Sequence, residues 1–269
     1  VSPAPDRGKE VVPPDLSKEY ADSVSLTDEE GVVRVLSESV LGLWEVVNNL
    51  SRLRPAHWRG FRVTIFGSAR AEPGTMAYEH VKRLARDLAS MGCEVVTGGG
   101  PGLMQAANEG AREAAPDDLN RSIGVRIKLE FEQHTNAFVG QAHEHRTFFS
   151  RLHHFVLLSH AFVVVPGGIG TTLEALMIWQ LLQVRNLSGT PLIMIGRMWP
   201  ELVEWSRRHM LGGQPDLAAP ADLDIPRCVP GVEEAVAIIR EYHERWLRDR
   251  AAARETASGG VEGRPGSAR

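Results

Sequence analysis

Along residues 61–210, short apolar runs alternate with longer stretches in which apolar residues recur every three or four positions. The short runs are 61–66 (FRVTIF), 94–97 (EVVT), 122–127 (SIGVRI), 161–165 (AFVVV) and 191–195 (PLIMI). Runs this short and this rich in Val and Ile suit strands buried on both faces. The longer stretches predict helices over about 76–91, 103–114, 146–159, 171–184 and 199–210. Residues 128–143 read as a long polar connection. Repeated strand–turn–helix units predict an α/β fold, a doubly wound and mostly parallel sheet with helices on both faces. Ligands of such sheets sit at the carboxyl ends of strands, where the strand order reverses.

Two helices are added to this core. Thr27-Asp28-Glu29-Glu30 has the form of a capping box, and Val32, Val35, Leu36, Val40, Leu43, Val46, Val47 and Leu50 follow at helical spacing. That helix ends near Arg54-Pro55 and suits a packing or oligomer role. A C-terminal helix is predicted over 232–250. Residues 1–25, rich in Pro, Asp, Ser and Lys, predict a disordered tail. One domain is expected over 26–252, with its motifs in 61–210, and a second disordered tail over 253–269.

Composition narrows the partners. A net charge of −4 provides no global field toward nucleic acid or an anionic membrane, so neither is an expected partner. An anion must be bound locally. No apolar run approaches the ~20 residues of a membrane helix. The first residues, VSPAPDRGKEVVPPDL, hold no apolar core of a secretory signal. With only Cys93 and Cys228, a disulfide framework is not expected. These features fit a soluble, cytoplasmic protein.

Three predicted strands end in glycine-rich turns: Gly67-Ser68-Ala69-Arg70, the run Gly98-Gly99-Gly100-Pro101-Gly102, and Pro166-Gly167-Gly168-Ile169-Gly170-Thr171-Thr172. A glycine turn entering a helix lets backbone N–H groups approach an anion, and the helix dipole favours negative charge there. Gly167, Gly168 and Gly170 supply that freedom, and Thr171 and Thr172 add hydroxyl donors. The leading ligand group is a phosphate. GGGPG lacks the GxGxxG spacing of a dinucleotide site, so no cofactor is expected.

Glu174 lies just inside the predicted helix. Its ordinary role there would be to complement the helix dipole, worth about 0.3–1 kcal/mol. Beside a phosphate, however, a carboxylate is repelled unless it has a separate task, such as holding a sugar hydroxyl or stabilising a cationic transition state. Arg146 and Arg151 on the preceding helix are candidate partners. Six of the ten histidines fall between His134 and His160. Neighbouring histidines on a helix point in different directions and no HExxH or Cys/His spacing occurs, so no metal is expected.

The segment PGGIGTTLE (166–174) resembles the PGGxGTxxE signature of the Lonely Guy family of nucleotide phosphoribohydrolases, long labelled lysine decarboxylases. The family pairs it with an arginine in a pattern like MxxRKxxM, and here 148–155 reads FFSRLHHF, which puts Arg151 at that place. Gly67-Ser68-Ala69 resembles the family's first-strand turn, and Gly98–Met104 (GGGPGLM) its second. The resemblance implies a Rossmann-like fold and a homodimer or larger homo-oligomer. It implies cleavage of the N-glycosidic bond of a nucleoside 5′-monophosphate, commonly AMP or a cytokinin riboside monophosphate, to free base and ribose 5-phosphate. Arg151 and Glu174 would be the catalytic pair. Gly67, Ser68, Gly98, Gly99, Gly100, Met104, Arg146, Gly167, Gly168, Gly170, Thr171 and Thr172 would bind the substrate. Arg151 could orient Glu174, hold the phosphate or assist the departing base.

The sequence departs from the family at Phe148, Leu152 and Phe155, which replace Met and Lys positions, and in its N-terminal extension, so it resembles the longer bacterial branch. The alternative is a non-hydrolytic sensor or carrier of a nucleotide or of the molybdenum cofactor on the same fold. Pyridoxal-dependent decarboxylation is not expected, because the only lysines are Lys9, Lys18, Lys82 and Lys128, none at a predicted strand-end site.

Overall fold

The sheet is built on β1 (Arg62–Phe66), where Val63 and Ile65 face one side and Phe66 the other. In the computed structural model, residues 29–31, 33, 34, 36–40, 60–127 and 135–259 are described. The chain divides into two compact units, residues 1–53 and 54–269. In the first, the described residues between 29 and 40 are helical, with Val33, Leu36 and Val40 exposed. Thr27 and Asp28 of the predicted cap and the tail predicted over 1–25 lie outside the described residues.

The second unit follows the predicted alternation. After β1 come α1 (Met76–Ser90), β2 (Glu94–Thr97), α2 (Leu103–Ala114), β3 (Ser122–Ile127), β4 (Gln141–His145) and α3 (Phe148–Leu158). Then follow β5 (Ala161–Val164), α4 (Ile169–Gln183), β6 (Leu192–Ile195), α5 (Met198–Met210), β7 (Pro226–Val229) and α6 (Val232–Gly259). The seven strands are ordered β4-β3-β2-β1-β5-β6-β7, and every neighbouring pair is parallel. This is the doubly wound Rossmann-like fold. The chain winds outward from β1 to one edge, returns to β5 on β1's other side and continues to the opposite edge. The order therefore reverses between β1 and β5.

The period of two along each strand sorts the core into two layers. Val63, Ile65, Ala161 and Val163 pack against α1, α2 and the start of α6, through Leu84, Leu88, Ala106 and Ile239. Phe66, Phe162 and Val164 pack against α3, α4 and α5, through Phe155, Ile178 and Trp199. Strands covered on both faces are apolar without interruption, which made β1, β2, β3, β5 and β6 readable in the sequence.

Three predicted features change. Residues 141–145 (QAHEH), expected inside a polar connection, form β4, an edge strand with four of its five residues exposed. Residues 226–229, outside every predicted element, form the other edge, β7, with its proline at the first position where a missing N–H is tolerated. Edge strands often carry polar or charged residues that discourage further pairing, so neither has an apolar signature. Finally, α6 continues through Gly259, past the boundary expected at Ala252, because Ala251–Ala253 are strong helix formers.

Candidate active site

Every glycine turn of interest opens at the carboxyl edge of the sheet, around the reversal point. Backbone bonds clamp the first and third turns together: Val165 donates to the Phe66 carbonyl at 2.9 Å and Ser68 to the Pro166 carbonyl at 3.1 Å. A Cβ on Gly67 would approach Val165 Cγ2 to 2.5 Å, so a glycine permits that approach. A cavity of about 510 Å3 lies over this seam.

From the β5 turn, Gly168, Gly170 and Thr171 line the cavity at the N-terminus of α4. A Cβ on Gly168 or Gly170 would meet nothing within 4 Å, so both leave open space in front of the backbone. Gly67 and Ser68 enter from the β1 turn, and Gly98, Gly100 and Met104 from the β2 turn. Arg151 from α3 and Glu174 from α4 complete the group. The other predicted site residues stand outside the lining. Gly167 packs on Thr171, and the Gly99 N–H donates to Thr97 Oγ1 at 2.9 Å. Thr172 Oγ1 donates to the Gly168 carbonyl at 3.0 Å, and Arg146 is exposed before α3.

Arg151 and Glu174 meet. Arg151 Nη1 lies 3.3 Å from Glu174 Oε1, and the two side chains are only 13% and 12% exposed. Arg151 Nε donates to the Val125 carbonyl at 3.0 Å, and its guanidinium carbon stands 5.2 Å from the Phe155 ring centroid. Three elements thus fix this arginine: its own helix, the end of β3 and the carboxylate of α4. Burial pushes the Glu174 carboxyl up to about 7, with Arg151 pulling the other way. At neutral pH the group stands between its acid and its base forms, a condition suited to catalysis.

The start of α4 also bears on Glu174. The helix begins at Ile169, two residues before the predicted start, so Glu174 lies in its second turn and not its first. Dipole complementation fades beyond the first turn, which weakens the ordinary explanation for this carboxylate.

The lining also includes residues that were not candidate site residues in the sequence, among them Arg70, Arg126, Phe148 and Ile169. Arg126 had a signal, a charged residue within the apolar run SIGVRI. Arg70 closes the quoted turn GSAR, but its relevance appears only once β1 and β5 are neighbours. Among the described residues, the lining carries three arginines, Arg70, Arg126 and Arg151, against one carboxylate, Glu174. Its local charge therefore opposes the negative charge of the whole chain and favours an anionic ligand. Among the described residues no group of His, Cys, Asp and Glu side chains is arranged to hold a metal. Among the same residues, no helix is long and apolar enough to cross a membrane.

Residues 104–239 match the family model described as "Possible lysine decarboxylase". No curated protein matches the chain. Among solved structures, the molybdenum cofactor carrier protein of Chlamydomonas reinhardtii is 19% identical, covering 68% of this chain and 98% of its own, with a TM-score of 0.49. The molybdenum cofactor binding protein of Rippkaea orientalis is 17% identical over 68% and 97% of the two chains, also at 0.49. DNA processing protein A of Helicobacter pylori, a single-stranded DNA binder, is 18% identical over 68% and 81%, at 0.46.

Proposed function

We propose, since the chain belongs to the possible-lysine-decarboxylase or Lonely Guy family, that it hydrolyses the N-glycosidic bond of a nucleoside 5′-monophosphate. The observation that carries this reading is the buried Arg151–Glu174 pair beside the N-terminus of α4, inside one cavity. The 5′-phosphate is received by the backbone at Gly168, Gly170 and Thr171. The ribose then lies over Glu174, one to two helical turns further on. As the base departs, positive charge develops at the anomeric carbon and the ring oxygen. The Glu174 carboxylate stabilises that charge and orients the attacking water, while Arg151 holds the carboxylate in place.

Among the described residues, the family's descriptive label finds no support in the lysines. Among the described residues Lys82 alone is present, on α1, bonded to Glu109 at 2.7 Å and Glu113 at 2.6 Å. These partners push its pKa upward, the opposite of what a Schiff-base lysine needs.

Incubating the protein with AMP, and with its pyrimidine and 6-oxopurine counterparts, should release free base and ribose 5-phosphate, resolved by chromatography. Because the ionised carboxylate is the working form, kcat/KM should rise through about pH 7, where Glu174 titrates, and level off above it. Nucleotides left intact while they still raise the melting temperature would replace hydrolysis with a carrier or sensor role.

The assembly is a homodimer or larger homo-oligomer in this proposal, joined through α4. That helix is apolar on both sides: Ala175 and Ile178 are buried, whereas Ile169, Leu173 and Leu176 are 89%, 51% and 43% exposed. A helix apolar all round is ordinarily covered on every side. The double variant Leu173→Glu, Leu176→Glu should sediment as a monomer where the parent sediments as an oligomer. Identical sedimentation of the two would remove α4 from the interface.

A further inference from the structure

The glycine cradle and the Arg151–Glu174 pair account for the phosphate and the ribose, leaving the far end of the cavity without a role. That end lies at β3. Strands stand about 4.8 Å apart, so β3, three places from β5 in the sheet, is about 14 Å from the phosphate cradle. With the reach of an arginine side chain, this separation matches a nucleotide's span from its phosphate to the outer edge of its base.

Arg126 occupies this end, in a mounting that is held from several sides. Its stem lies across Gly99, where φ is +70° and a Cβ would come within 2.9 Å of Arg126 Cγ. The Gly99 turn is itself pinned, its N–H on Thr97 Oγ1 at 2.9 Å and its carbonyl accepting from Asn136 N at 3.0 Å. Asn136 Nδ2 also donates to the Gly100 carbonyl at 2.9 Å. Arg126 Nη1 donates to Thr135 Oγ1 at 2.7 Å, which orients the guanidinium plane. Phe148, 52% exposed, lines the same cavity, and Met104 and Ile127 supply further apolar walls for a planar base.

We infer that Arg126 reads the base, selecting nucleotides whose base presents carbonyl and ring-nitrogen acceptors, the 6-oxopurines, over the 6-aminopurine of AMP. This rests on the proposed nucleotide site. A guanidinium has only donors, five of them in a fixed fork. It pairs with the O6 and N7 acceptors of a 6-oxopurine in the manner of arginine on guanine, whereas an exocyclic amino group confronts it with donors. AMP, the substrate most readily suggested by the family, is then the poorer ligand for this chain.

The pair IMP and AMP tests this, because they share phosphate and ribose and differ at the 6-position. The parent should show a kcat/KM ratio, IMP over AMP, of about 10–100, the range of one bidentate arginine contact. Arg126→Ala should bring the ratio to within about threefold of unity. Arg126→Gln, whose amide both donates and accepts, should tilt it toward AMP. The same comparison by thermal shift on the Glu174→Gln protein reads base preference without turnover. A larger shift with IMP and no ribose 5-phosphate from the parent would overturn hydrolysis while supporting the role of Arg126. Equal response to the two nucleotides, a preference for AMP, or a ratio unmoved in both variants overturns it.

Discussion

Glu174→Gln should slow base release by about 10²–10³-fold, the usual loss when one electrostatic stabiliser is removed from a transition state. Nucleotide binding should change little. Glutamine has nearly the volume of glutamate, and its carbonyl can still accept from Arg151, so the cavity keeps its shape. What disappears is the negative charge that meets the oxocarbenium-like ribosyl. Stability provides an independent readout. A carboxyl raised to about 7 in the fold contributes stability that is fully present below its unfolded pKa of about 4.5. That contribution is lost as pH rises through about 7, because ionisation must then occur in a buried place. The glutamine variant has no such ionisation. Its melting temperature should therefore gain on the parent's between about pH 4.5 and 7 and hold that gain above, a window set by the unfolded and folded titrations. Unchanged turnover would return Glu174 to a structural role.

Gly98→Ala should separate catalysis from folding in the opposite way. A Cβ at this position would lie 2.5 Å from Arg151 Nη2 and 2.6 Å from Met104 Sδ. Both atoms are the ends of flexible side chains, and Gly98 does not have a left-handed φ, so the backbone accepts alanine readily. The expected stability change is within about 1 kcal/mol. Arg151, however, cannot keep its position between the Val125 carbonyl and Glu174. Displacing a positioned group by about 1 Å costs on the order of 100-fold in rate. Assaying AMP and IMP cleavage alongside a thermal melt checks both halves. Full activity in a well-folded Gly98→Ala protein would show that the position of Arg151 does not limit the reaction.

Much of this arrangement was legible in the chain, for physical reasons that differ from residue to residue. Val63, Ile65, Val163 and Val164 advertise buried strands because both faces of the sheet are covered. Gln141–His145 and Pro226–Val229 do not, because each lies at an edge with one side unpaired. The joining of Arg151 to Glu174 was suggested by family resemblance; nothing in a spacing of 23 residues dictates a 3.3 Å contact. Thr172 was counted as a phosphate donor, but a helix starting at Ile169 turns its hydroxyl onto Gly168. Arg126 stood out only as a charge inside the apolar run SIGVRI, and Arg70 acquires meaning only when the topology sets it against a cavity.

That topology also governs when the site can come into being. β1 pairs on one side with β2, its immediate successor, and on the other with β5, in the register Val63 to Ala161. Its second neighbour is thus about a hundred residues away along the chain. Closing so long a loop is an entropic cost that comes before any contact offsets it, and pairings of this kind slow folding. The cavity straddles this same seam, with Ser68 bonded to Pro166 across it. A nascent chain that has passed its first three strands can assemble half of the sheet, but it holds no phosphate cradle and no carboxylate. Activity regained after dilution from denaturant should therefore follow the β1–β5 docking step and lag behind the recovery of helix.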